Sequence, residues 1–362
     1  MIIKKLKKKF LSKTQRTQCF SHLCVYCFFL IVYCLLPTAH CFAQDIHFSQ
    51  FNSSPLNLNP ALTGLFDGDY RFVGNDRNQW GSVTVPYKTF SGSYDMRMLA
   101  GKIKSGILGG GIIFNNDRAG DASLGITQAN LSLSYSKKID KDSVQLLSVG
   151  VQTGIAQRSI DYTKLMFDEQ YDGDTYNPNY NTGQNFSSSS FTYFDVSSGV
   201  NWFYRPRERF KMNFGASMFH INTPKQNFLN ANDVKLHRKV VLHGSGQFKV
   251  RPKIDLMPSF IFERQNTFQE FVVGTSFRYM IQSFEGYNNA FYLGGFYRTS
   301  DAFIFSTGMD YKNINVGLSY DVNISKLRPA SNGRGGLELS VIYIIKKFIP
   351  LKVKKKICPP YL

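Results

Sequence analysis

The segment INVGLSYDVN, residues 314–323, alternates without a break. Ile314, Val316, Leu318, Tyr320 and Val322 interleave with Asn315, Gly317, Ser319, Asp321 and Asn323. Successive side chains of an extended strand point to opposite faces, so this stretch carries one apolar face and one small polar face. The same beat runs through 128–136, 147–156 and 212–218. In 128–136, for example, Ala129, Leu131, Leu133 and Tyr135 stand between Gln128, Asn130, Ser132, Ser134 and Ser136. No long window shows the 3.6-residue period of an amphipathic helix.

Two architectures use such strands. A soluble sandwich buries the apolar face and wets the other. A membrane barrel turns the apolar face to lipid and the polar face to its lumen. Three features favour the barrel. Many strands reach the ~9–11 residues that cross a bilayer obliquely. The polar face is built from Ser, Gly, Asn and Gln rather than Lys and Glu. Aromatics are plentiful, 32 Phe and 20 Tyr, and several fall near strand ends as an interfacial girdle requires (Tyr70, Tyr135, Tyr204, Phe248, Tyr279, Tyr297, Tyr311, Tyr320).

The expected strands are 70–80, 87–98, 106–116, 126–139, 144–158, 191–205, 209–222, 238–250, 253–264, 269–281, 289–298, 301–311, 313–322 and 336–346. The fold class is therefore all-β: a transmembrane outer-membrane barrel of about 14 antiparallel strands. An even number puts both termini on the periplasmic side. Odd-to-even connections, among them 159–190, 223–237 and 323–335, should then be long and extracellular. Even-to-odd connections should be short; 99–105 and 282–288 are longer than a tight turn. Pro258 sits inside a strand and has no N–H for the ladder, so a bulge or a shifted boundary is expected there.

The chain ends account for most of the charge. Of 43 Lys and Arg, seven lie in 1–43 and six from Lys346 onward, with no acid in either stretch. The remaining 30 face 25 Asp and Glu, so a nucleic-acid-binding body is disfavoured. Residues 1–43 read as an export signal: a basic start, the apolar run Leu23–Leu36, Pro37, and a small-x-small site at Cys41-Phe42-Ala43. The run is shorter than the ~20 residues of a membrane helix. Five of the six cysteines fall before residue 44, so cleavage leaves Cys358 alone and no disulfide framework. The expected division is a signal at 1–43, a periplasmic or plug segment at 44–66, the barrel at 67–346 and a basic periplasmic tail at 347–362.

Chemistry is sparse. Four His follow the signal (His47, His220, His237, His243), with no HExxH, GxSxG or paired Cys. His220 and His237 flank the 223–237 loop and could meet at the rim, where a hydrolase would also need a Ser or Asp; ordinary rim histidines are the expectation. Gly109-Gly110-Gly111 lacks the Lys-Ser/Thr of a phosphate loop and reads as a bend or close backbone approach. Asp168, Glu169, Asp172, Asp174, Asn177 and Asn179 have oxygen-rich spacing without EF-hand order. Tyr171 and Tyr176 of the same loop are better read as contact anchors. Neither an enzymatic role nor a cofactor or metal is expected.

Two segments resemble the PorP/SprF family of type IX secretion outer-membrane proteins. The first is QDIHFSQFNSSPLNLNPALTGLFDGDYRFVGNDRNQW, residues 44–80. It carries Phe48-Ser49-Gln50-Phe51, Leu58-Asn59-Pro60-Ala61, Gly64 and Arg77-Asn78-Gln79-Trp80. The second is MDYKNINVGLSYDVNISKLRPASNGRGGLELSVIYI, residues 309–344, with the GLSYDVN strand and the strand of Glu338. The Cys358-Pro359 ending is also similar to family tails; the cysteine-rich signal and basic 352–356 run depart from them. The resemblance implies an outer-membrane barrel of a Gram-negative bacterium, non-enzymatic and embedded in outer-membrane lipid. In some members it is linked to gliding and to large surface adhesins, docking or anchoring a secreted protein and contacting periplasmic machinery. A general porin or small-solute channel is the alternative. Pro55 and Pro60 prevent a continuous helix in the opening segment, and Phe48, Phe51, Leu56 and Leu58 need apolar cover. Either the segment plugs the lumen or it binds a periplasmic partner. Candidate partner-binding residues are Phe48, Gln50, Phe51, Leu58, Asn59, Pro60, Trp80, Tyr171 and Tyr176.

Overall fold

The computed structural model describes residues 45–346 apart from 80, 82–84, 100–102, 104–105, 141–143, 184–187, 227, 229–233, 285–286 and 327. The export signal and the tail from residue 347 lie outside the described residues, as does Trp80.

Fourteen antiparallel strands close into one barrel. They are β1 (Tyr70–Gln79), β2 (Tyr87–Met98), β3 (Gly106–Ala119), β4 (Leu124–Lys138), β5 (Gln145–Ser159), β6 (Ser190–Arg207), β7 (Phe210–Phe219), β8 (Lys239–Arg251), β9 (Ile254–Gln265), β10 (Phe268–Phe284), β11 (Tyr287–Arg298), β12 (Ala302–Tyr311), β13 (Ile314–Asn323) and β14 (Arg334–Ile345). Each strand pairs with its sequence neighbour, and β1 closes on β14 from Tyr70–Ile345 to Gln79–Gly336. No helix among the described residues is long and apolar enough to cross a membrane.

The alternation decides between sandwich and barrel. In β13, Ile314, Val316, Leu318 and Tyr320 are exposed while Gly317, Ser319, Asp321 and Asn323 are buried. In β4, Leu131 is 61% exposed beside a buried Ser132. The apolar faces therefore point outward and the polar faces inward, the reverse of a soluble sandwich. Aromatics cluster at one rim on this outer surface. Trp202 stacks on Tyr204, Phe210 meets Phe248 edge-on, and Phe72 lies against Tyr94 and Tyr343.

Three connections at one end are long: 160–189, 220–238 and 324–333. At the opposite end the connections are short, 99–105 being the longest. The expected long connection at 282–288 shrinks to 285–286, because β10 and β11 extend further than their alternation suggested. Conversely β7 ends at Phe219 rather than at 222. His220 and Thr223 take left-handed backbone (φ 57° and 43°), which an extended strand cannot contain. Pro258 stays inside β9 without a register change at its position. The β8–β9 ladder passes from Ser245–Ser259 to Phe248–Leu256 in constant register, while the β10 side remains paired through Thr275. Its missing N–H falls on the interrupted side, and the irregularity in that ladder lies instead at Lys249/Arg251.

Candidate functional site

The lumen is occupied by the chain's own opening segment. Residues 45–66 run through the barrel as a 3-10 turn (Phe51–Ser53), an α-helical turn (Pro55–Leu58) and a second 3-10 turn (Pro60–Leu62) before entering β1. Pro55 and Pro60 open the second and third turns, where a missing N–H costs nothing, and their spacing keeps the helix from continuing. Leu56, Asn59, Ala61 and Thr63 are 0% exposed.

The segment is held at four levels. At the long-loop end, the Asp45 carboxylate lies 3.1 Å from His220 Nε2 and 3.2 Å from Lys239 Nζ, and His220 Nδ1 lies 3.0 Å from Asp195. Burial opposes the charge on His220, but the two carboxylates outweigh it and push its pKa up to about 9. Burial likewise opposes ionisation of Asp45, and Lys239 and His220 outweigh it, holding that carboxyl far below the usual range. One turn inward, Ser49 and Gln50 meet the closing strands. Both backbone N–H groups donate to the Glu338 carboxylate, at 2.7 and 2.9 Å, and Ser49 Oγ donates to Asp321 at 2.8 Å. Arg77 and Arg298 flank Asp321 at 3.3 and 3.0 Å, and Arg77 also donates to His47 O. In the middle, Asn59 Nδ2 donates to Val200 O and lies 3.1 Å from His243 Nε2, while Ser217 donates to Leu58 O. Toward β1, Asp95 accepts two hydrogen bonds from Arg71 and one from the Gly64 N–H.

Apolar contacts complete the fit. Phe51, Leu58 and Leu62 pack with Phe219, Val241, Ile261, Val272 and Ile304. Val241, Ile261, Val272 and Ile304 are inward-facing residues of β8, β9, β10 and β12, so one side of the lumen is a greasy patch under the segment. Backbone crosses backbone where side chains are absent. A Cβ on Gly150 would lie 2.4 Å from Ala61 N, and one on Gly109 would lie 2.2 Å from Thr63 O. The glycine run at 109–111 is thus partly a seat for the segment, a close approach as well as a feature of the strand.

The sequence-derived candidates divide accordingly. Phe48, Gln50, Phe51, Leu58, Asn59 and Pro60 come together, but inside the lumen and against the barrel wall rather than on an open face; apolar groups beside a greasy wall patch are buried there. Tyr171 and Tyr176 stand apart on the 160–189 loop, exposed and bridged to one another. Of the two histidines flanking the 223–237 loop, His220 lies between Asp45 and Asp195 rather than against His237. Both ring nitrogens of His220 are engaged by carboxylates, so neither is free to take a nucleophile's proton. Among the described residues no three His, Cys, Asp or Glu come together to hold a metal. Asp172 of the oxygen-rich stretch instead caps its own turn, accepting from the Asp174 and Thr175 N–H groups. The described residues begin and end at opposite ends of the barrel: Asp45 sits at the long-loop end and Lys346, beside Asp67, at the short-connection end.

The reading of the residues missed most of the charged anchors. Asp95, Arg298 and Lys239 lie on strands at inward positions. A charge within a membrane-crossing strand must face inward and find a partner, and that was the available signal.

The two sequence segments that carried the family resemblance, 44–80 and 309–344, therefore meet in space through Ser49, Gln50, Arg77, Asp321 and Glu338. The profile of the family described as "Type IX secretion system membrane protein PorP/SprF" matches residues 40–343. The chain belongs to the PorP/SprF family. As a PorP/SprF barrel it is an outer-membrane component of type IX secretion. No curated protein matches the chain. Solved structures similar to this PorP/SprF chain include the CymD monoaromatic hydrocarbon channel (10% identity, TM-score 0.45, 82% of this chain and 93% of that one). The Pseudomonas putida toluene transporter TodX gives 10% identity and a TM-score of 0.44 over 83% and 94%. A Pseudomonas aeruginosa FadL homologue gives 9% and 0.41 over 79% and 92%.

Proposed function

We propose that this PorP/SprF chain is a non-enzymatic docking or anchoring component of type IX secretion. In this reading it engages a secreted, adhesin-like surface protein with its long loops and periplasmic machinery with its short-connection end. Gliding-associated adhesins are the proposed cargo class, and the basic tail adds to the periplasmic contact. The observation that carries this is the occupied lumen: residues 45–65 are bonded to the wall at four levels, which supports reading the opening segment as a plug. A diffusion porin needs an open, water-filled interior. Tyr171 and Tyr176 are the proposed cargo anchors, because they are large, amphipathic and exposed on the longest loop. Residues 1–43 are taken as the cleaved export signal, with the long loops extracellular.

Planar-bilayer recording tests the reading. The intact protein is expected to show no large steady current. Deleting 165–183 is expected to abolish pull-down of the adhesin-like cargo while leaving heat-modifiable migration intact. A large steady open-state current from the intact protein would establish the channel alternative instead.

A further inference from the structure

The short-connection end of the lumen holds a two-part recess that the plug does not fill. The outer part, about 330 Å³, is ringed by Arg205, Arg209, Lys211, Arg278, Lys312 and Lys346. Three acids line it, Asp67, Glu208 and Asp310. Asp255, beneath Arg209, adds a fourth, so cations outnumber carboxylates. The carboxylates are largely committed. Asp255 accepts from Arg209 Nε at 2.8 Å and lies 3.4 Å from Arg278. Asp310 lies 3.1 Å from Arg278, and Asp67 lies 3.4 Å from Lys346. Lys211 and Lys312 make no ion pair among the described residues.

Inward, the recess continues into a second space of about 470 Å³ that shares Lys211, Met257, Tyr292 and Asp310 with the first. Leu58, Leu62 and Leu65 of the plug line it together with Phe296. Asn213 also lines it, and its Oδ1 is buried without a hydrogen-bond partner. The whole is a blind, amphipathic site: a cationic mouth, an apolar floor and a spare acceptor. Its volume falls in the ~300–1,000 Å³ range of ligand sites.

We propose that this recess docks an acidic peptide segment of a partner protein. Carboxylates of the peptide pair with Lys211 and Lys312, apolar side chains rest on Leu58, Leu62 and Leu65, and a backbone N–H satisfies Asn213. The chain's own tail is excluded as occupant by charge, since residues 346–362 hold six Lys and no acid. A single-chain carboxylate lipid would match the mouth and the floor but offers no donor to Asn213. The proposal refines the docking reading and rests on it for the closed lumen.

The test uses the full-length folded protein in detergent and a dye-labelled peptide of alternating Glu and Leu, read by fluorescence anisotropy. The matched Lys–Leu peptide and dodecanoate are the controls. The acidic peptide is expected to bind, to weaken with added salt, and to lose at least about tenfold in affinity, ~1.4 kcal/mol, in the Lys211→Glu/Lys312→Glu variant. Heat-modifiable migration checks that this variant is folded; if it is not, the salt dependence and Lys211→Gln alone serve the same purpose. Equal binding of both peptides, binding indifferent to the variants, or binding of dodecanoate but not peptide overturns the proposal. Those results together with a silent bilayer recording would leave docking at the long loops standing; a large steady current would remove the closed lumen as well.

Discussion

Ser49 Oγ lies 2.8 Å from both carboxylate oxygens of Asp321, a contact between the opening segment and β13 across 272 positions of chain. Asp321 at the same time serves Arg77 and Arg298. The two partners therefore differ in weight. Ser49→Ala removes a neutral donor and is expected to cost about 1–3 kcal/mol. Asp321→Ala leaves two buried guanidinium groups short of a partner and is expected to cost about 3–5 kcal/mol. Denaturant unfolding followed by loss of heat-modifiable migration should rank them in that order.

Gly150 permits a close backbone crossing at Pro60–Ala61. Gly150→Val is expected to displace the plug while the barrel stays closed. The readout is a steady planar-bilayer current absent from the wild type, in protein that still migrates as folded.

The pH dependence follows from His220. Its folded pKa, about 9, stands above the ordinary value of 6.5, so the stabilisation is fully present below about 6.5 and is lost as pH rises through about 9. The difference in melting midpoint between wild type and His220→Phe should be constant at low pH and narrow across that window. A difference that grows with pH would contradict the double-carboxylate grip.

Leu56 and Leu131 are both leucines, one 0% and one 61% exposed in the absence of lipid. Leu56→Ala is expected to cost about 2–5 kcal/mol through a cavity. Leu131→Lys is expected to cost about 2–4 kcal/mol if it sits near the bilayer midplane, because it faces hydrocarbon. Folding into lipid vesicles separates them: only Leu131→Lys should depend on bilayer thickness.

The strand pattern was legible because one face meets lipid and the other does not, and fourteen strands could be placed from alternation alone. The contents of the lumen were harder to read. Val240-Val241-Leu242, Phe260-Ile261-Phe262, Phe271-Val272-Val273 and Phe303-Ile304-Phe305 each break the alternation, and in each the middle residue faces inward. A water-filled lumen gives such residues no purpose, so these triplets marked a buried occupant. The proline spacing and apolar residues of 48–58 had left plug and partner contact equally open, since both provide apolar cover. Strand ends were misplaced where left-handed backbone at His220 and Thr223, invisible to periodicity, ended β7 early.

The seam between β1 and β14 is stitched from within. Arg77 of β1 donates to His47 O, and Glu338 of β14 receives the Ser49 and Gln50 amides. Parting those two strands sideways would tear both sets of bonds from the opening segment. A hatch in the wall and a bore along the axis would thus share one bolt, and whatever draws it would unlock both exits together.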